Sequence, residues 1–221
     1  AGVSRMVAVG GTVAANQLAV SLAERWPGTV RAVAGYDRDE ANQFPSLDTL
    51  RELWRHPGVC GVGETGLDYH YCPDSVEAQK ILFAAMLKGA RDHVLPVVVH
   101  SREAGADTIR LLEDHCIAWK GDPDRVGVLH CFTGDLSFAR ELLSLGMMIS
   151  FSGIVTFKKA ESLRGVAASI PDDRLLIETD SPYLAPAPIA ENAMNQPMFP
   201  KLPWLWLMYG DVNLKILPRY R

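Results

Sequence analysis

The sequence predicts an α/β protein built on one parallel sheet, and three observations predict it. Short apolar runs recur seven times, stretches with helical spacing separate them, and no two-residue hairpin signal joins neighbouring runs. Several runs are nearly continuous in Val, Ile and Leu, as in parallel strands covered on both faces. Parallel neighbours need a crossover between them, and a helix supplies it. Seven such units are one short of the eight that close a (β/α) barrel.

In chain order the expected strands are RMVAVG (5–10), VRAVAGY (30–36), VCGVGETG (59–66), LPVVVHS (95–101), VGVLHCF (126–132), MMISFSG (147–153) and RLLIETD (174–180). The helical pattern is clearest in AQKILFAAMLKGARDH (78–93) and LSFARELLSLG (136–146), where apolar residues fall at i, i+3 and i+4. Asp135 stands where an N-cap is wanted, and Gly146 where a helix stops. No internal repeat or low-complexity linker divides the chain.

Composition narrows the function classes. The 221 residues, 48% hydrophobic, suffice for one sizeable core. The net charge of −4, with Lys and Arg scattered, leaves no basic stripe for tight duplex binding, although a metal site can supply positive charge locally. The four cysteines (Cys60, Cys72, Cys116, Cys131) form no C-x-x-C pair, so reduced thiols in a cytoplasmic protein are expected. No signal peptide is evident, and no apolar run approaches the roughly 18 residues of a membrane span.

Four residues of metal-ligand type fall at the carboxyl ends of expected strands, where barrel enzymes place their sites. Glu64, His100, His130 and Asp180 are separated by 36, 30 and 50 residues. One βα unit takes roughly 30 residues, and the longest gap holds the additional strand MMISFSG. The four therefore reach similar depths on four strands, the arrangement a mixed His/carboxylate metal site requires. Each alone has a structural reading: a strand-end histidine in a core, a glutamate in a glycine turn, an aspartate capping Ser181-Pro182. The coincidence of all four favours a site. His56, His70, His93 and His115 lie in helical or loop contexts and are expected to be solvated. Cys131 follows His130 directly, so strand alternation turns it to the other face.

The segments GETGLDYHY, LPVVVHSREA, LHCFTGD, SFSGIVTFK and ETDSPYLAP, in this order, resemble the TatD-type metal-dependent deoxyribonucleases, from near Ala1 to about Pro188. The resemblance implies an amidohydrolase-like TIM barrel that hydrolyses DNA phosphodiesters, single-stranded or at ends, with two divalent metals (Mg²⁺, Mn²⁺ or Zn²⁺). It implies Glu64 as the metal bridge, His100 and His130 as ligands completing one site, and Asp180 as a ligand of the other metal that helps activate water. Arg102 in HSRE is then a phosphate contact or a structural ion pair. Two metals roughly 4 Å apart suit this reaction because they acidify water and neutralise phosphoryl and leaving oxygens.

The chain departs from the family pattern in three places. The family opens with a strand carrying a His-x-His pair, and the first expected strand here is RMVAVG, so the barrel is expected to be incomplete, lacking its first strand. Where the family has a G-x-H-P turn this chain reads Gly35-Tyr36-Asp37-Arg38, with Asp37 able to bind a cation or substrate but expected to be a solvated loop charge. One metal site is thus nearly complete and the other largely dismantled. After the barrel (1–188), the segment 189–221 contains Pro197, Pro200, Pro203 and Pro218 and has neither helical nor strand period. Read one base out of register, Met194-Asn195 necessarily encodes Glu and Met198-Phe199 Val. Permitted codons then turn AENAMNQPMFPKLPWLWLMYG into GKRNEPAYVSEVAVALADVW, a family-like loop and helix. The tail is therefore read as an out-of-frame product. Two other functions compete with the nuclease: a catalytically impaired family member that keeps the fold, and an amidohydrolase acting on a small substrate. Oligomeric state stays open.

Overall fold

A computed structural model describes residues 4–43 and 45–187. The expected out-of-frame tail lies outside the described residues. Seven strands form one parallel sheet in strict chain order: β1 (Met6–Gly11), β2 (Val30–Tyr36), β3 (Val59–Asp68), β4 (Val97–Arg102), β5 (Gly127–Leu129), β6 (Met148–Phe151) and β7 (Leu175–Ile177). Helices connect them: α1 (Val13–Arg25), α2 (Leu47–Trp54), α3 (Val76–His93), α4 (Gly105–Ile117), α5 (Leu136–Ser144) and α6 (Glu161–Ala167). The architecture is the expected incomplete (β/α) barrel, a curled sheet with β1 and β7 as its outer strands among the described residues.

The core lies between sheet and helices. Ala32, Ala34, Val62, Val97, Val99 and Leu129 from the strands meet Leu50, Leu82, Phe83, Met86, Leu112 and Leu142 from the helices, all essentially inaccessible. Burying each large side chain is worth about 1.5–3 kcal/mol. Helix ends follow local chemistry. Asp135 caps α5 by accepting from the Phe138 amide at 2.9 Å, and Gly146 leaves that helix at φ +79°.

Two strands end sooner than their apolar runs suggest. β5 stops at Leu129 and β7 at Ile177, so His130 and Asp180 stand beyond the strands instead of closing them. The sheet's hydrogen bonding nonetheless persists past both ends, from the His130 amide to Val99 O (3.0 Å) and from the Glu178 amide to Phe151 O (3.0 Å). β3 runs further than expected, to Asp68. The histidine expectation fails most clearly at His115, a fully buried residue of α4 with its ring 5.5 Å from that of Trp119. Burial there, reinforced by the Arg91 charge, pushes its pKa down to about 4.

Polar side chains inside the core hold the strands in register. Asn16 of α1, 1% exposed, donates to Gly35 O at 2.7 Å and accepts from the amides of Gly35 (3.0 Å) and Gly11 (3.2 Å). It thereby staples β1 to β2 where their register shifts between Val9 and Gly11. Gln79 of α3, fully buried, clamps the end of β3. It accepts from the Asp68 amide (2.7 Å) and donates to the carbonyls of Asp68 (3.1 Å) and Cys72 (2.8 Å).

Candidate metal centre

Glu64 sits mid-strand in β3, and its neighbours explain why the segment reads GETG. A Cβ on Gly63 would lie 2.6 Å from Val98 O, and one on Gly66 1.9 Å from His100 O; both glycines have φ near +145°, at +149° and +144°. Only glycine allows β3 and β4 to approach this closely, and the approach sets Glu64 against His100.

The acceptor atoms of Glu64, His100 and His130 all lie within 4.8 Å of one another. His100 Nδ1 faces Glu64 Oε1 at 3.5 Å, and His130 Nε2 faces the same oxygen at 3.1 Å. Each imidazole is braced from behind. His100 Nε2 lies 2.9 Å from the buried Asp68 carboxylate, and His130 Nδ1 lies 3.3 Å from Glu178, which also accepts from the Cys131 amide at 2.7 Å. An ionised carboxylate only accepts, so Nε2 of His100 carries its proton and Nδ1 offers a lone pair toward Glu64. A carboxylate behind each histidine fixes both tautomer and ring orientation, the arrangement found behind histidines in metal sites. Sequence reasoning missed both braces. Asp68 was visible four residues after Glu64 on the same strand, and Glu178 two residues before Asp180.

The electrostatics are those of a site short of positive charge. Burial alone would raise the Glu64 carboxyl, but His130, His100 and Arg38 hold it down at about 2. Burial and the Arg38 charge lower His100, whereas burial of His130 is more than offset by Glu178 and Glu64, which raise it. His130 Nε2 is buried without a hydrogen-bond partner, although it lies so near Glu64. A buried, unaligned nitrogen facing a carboxylate and a second imidazole is free to serve as a donor to a cation. The donor set of one carboxylate and two imidazoles fits a divalent ion.

Asp180 and Arg102 line the same cavity, of about 240 Å³, but Asp180 stands outside the three-residue group. Burial and the charges of Glu178 and Glu64 raise the Asp180 carboxyl. Glu103, Cys131 and Asp180, just past the ends of three strands, all adopt left-handed backbone with φ of 54°, 45° and 50°. Such conformations cost about 1–3 kcal/mol each and persist where surrounding structure imposes them. The turn at Cys131 corrects the strand-alternation reading: its thiol lines the cavity, 3.2 Å from Ser152 Oγ, with burial pushing it up to about 11. Asp37 is corrected as well. Instead of a solvated loop charge it is a cavity-lining carboxylate with its side chain 14% exposed, paired to Arg38 and raised to about 6 by burial and Glu64.

Residues 1–202 match the family described as TatD related DNase. The chain belongs to that family. A relative in Escherichia coli (strain K12), named uncharacterized metal-dependent hydrolase YcfH, is 48% identical over 151 residues, 68% of this chain and 55% of the relative. The 3'-5' ssDNA/RNA exonuclease TatD of Musicola paradisiaca is 35% identical over 204 residues, covering 90% of this chain and 75% of that protein. Among solved structures, the TatD homolog YJJV from Escherichia coli superposes with a TM-score of 0.77 at 29% identity, over 89% of this chain and 73% of that one. The chain thus spans little more than half of YcfH and about three quarters of the other two. No helix among the described residues is long and apolar enough to cross a membrane.

Proposed function

We propose that this TatD-family chain hydrolyses phosphodiester bonds of DNA, with single strands or ends as substrate. The observation that carries the reading is Glu64 facing two imidazoles, each braced by its own carboxylate, in a cavity at the carboxyl end of a parallel sheet. When bound, a divalent cation supplies a Lewis acid that acidifies water and neutralises phosphoryl oxygens. Glu64, His100 and His130 would hold it, while Asp68 and Glu178 keep the histidine nitrogens aimed. Asp180, kept proton-avid by burial and neighbouring carboxylates, accepts the proton of the attacking water. Arg102 at the rim receives the phosphate backbone.

Single strands are favoured by the rim itself. Tyr183 lines the cavity and is 70% exposed, and Tyr71 is 68% exposed with the Arg102 guanidinium 5.8 Å from its ring centroid. Exposed aromatic faces beside a cation are a stacking platform for unpaired bases. A relative named as a single-strand DNA/RNA exonuclease supports the same substrate class. The test is cleavage of an end-labelled single-stranded oligonucleotide with Mg²⁺ or Mn²⁺. Cleavage abolished by chelator and by Glu64→Gln is expected. Undiminished cleavage in Glu64→Gln would refute the site, and no metal-dependent cleavage would leave the impaired-member reading.

A further inference from the structure

The cavity already holds one fixed cation that the metal reading does not use. Arg38 follows β2, and its guanidinium reaches across to β3. Nη1 pairs with Asp37 and lies 3.3 Å from Glu64 Oε1, while Nε lies 3.6 Å from Asp68. The Glu64 oxygen it approaches is the one both histidines face. The side chain is 20% exposed, and its Nε is buried without a hydrogen bond, so the group is set by charge and packing and not by a well-formed bidentate pair.

Three carboxylates around one guanidinium make an unusual balance. Without Arg38, Asp37, Glu64 and Asp68 would confront one another across a part-buried space whose nearest cationic partners are imidazoles. A guanidinium stays charged under all ordinary conditions, so its +1 is permanent there. It also repels any divalent ion bound to Glu64 at close range and in reduced dielectric. We infer that Arg38 is an internal cation standing in for a second metal ion, neutralising Asp37 and Glu64, so that the chain binds a single divalent ion at Glu64, His100 and His130. The inference rests on the metal-centre reading above. It assigns Arg38 a positioning role: setting how many ions the site takes and how tightly.

Manganese binding to the metal-stripped 221-residue chain, by calorimetry and by electron paramagnetic resonance, tests this. One ion is expected in the wild type and in Arg38→Lys, which keeps the charge. Arg38→Gln releases Asp37 and Glu64 and should bind two ions, with spin coupling between them and at least tenfold tighter binding of the first. Arg38→Met serves as a second uncharged variant if Gln fails to fold, as judged by circular dichroism. Two ions in the wild type would overturn the role of Arg38 while leaving the metal centre standing. One ion in a folded uncharged variant, with unchanged affinity, would overturn it too. No binding in any variant would remove the metal centre and this inference together.

Discussion

Replacing Asn16 by Leu should destabilise the fold more than its single position suggests. The side chain serves three backbone groups at once, the amides of Gly11 and Gly35 and the carbonyl of Gly35. Leucine keeps the same side-chain branching but satisfies none of them, and the site is 1% exposed, so bulk water cannot take over. An orphaned buried polar group costs about 1–3 kcal/mol. Three of them, in the lower half of that range, come to about 3–6 kcal/mol, a large fraction of the ~5–15 kcal/mol that holds a domain together. Equilibrium urea unfolding of wild type and variant measures the difference directly. A loss under about 1 kcal/mol would refute the claim that Asn16 is what joins β1 to β2 at their register shift.

Asp68→Asn removes the charge that fixes the His100 tautomer, so a roughly 10–100-fold loss of metal affinity is expected; unchanged affinity in a metal titration would show the brace to be idle. His115 predicts a pH effect on stability. Its folded pKa of about 4 lies below the ordinary histidine value of 6.5, so between those values the unfolded chain binds the extra proton. Stability is whole above pH 6.5 and declines by at most about 3 kcal/mol as pH falls toward 4; urea midpoints of wild type and His115→Gln should converge over that window, and parallel curves would contradict it. Tyr183→Ala and Arg102→Ala should each weaken single-stranded DNA binding several-fold in a fluorescence-anisotropy titration while leaving the urea midpoint alone. Cys131, with a thiol near 11, should resist iodoacetamide at pH 7.5 in the folded chain, and prompt labelling by mass spectrometry would show it more acidic than its burial implies.

The fold was legible because period and punctuation agree: apolar runs of strand length alternate with helical stretches, and Asp135 and Gly146 bracket α5 where expected. Glu64, His100 and His130 were legible because ligand-type residues recurred at one structural interval, and the structure brings their ligand atoms together. What stayed hidden depends on where the backbone leaves regular geometry. Cys131 was misplaced because alternation holds only inside a strand, and β5 has already ended at Leu129. Asp37 read as a loop charge, and Arg38 drew no reading, because nothing in a linear pattern reveals that the turn after β2 folds over β3. His115 sits on a helix beside exposed Arg110, Glu113 and Asp114, and only packing against α3 and the start of β5 makes it internal. Asp68 and Glu178 carry no signal by themselves; their role exists only through the imidazoles they touch.

The brace on His130 has a consequence for dynamics. Glu178 follows β7, whereas His130 follows β5, so this contact passes over the intervening β6 and ties a three-residue strand, outermost among the described residues, to the centre of the site. A short peripheral strand is among the first elements to open in native-state fluctuations. Each opening would release Glu178 and with it the orientation of His130, so ion affinity and fraying of β7 are thermodynamically linked. An ion bound among Glu64, His100 and His130 should therefore slow amide exchange at Leu175–Ile177, residues that never touch it, and the slowing should grow with ion concentration.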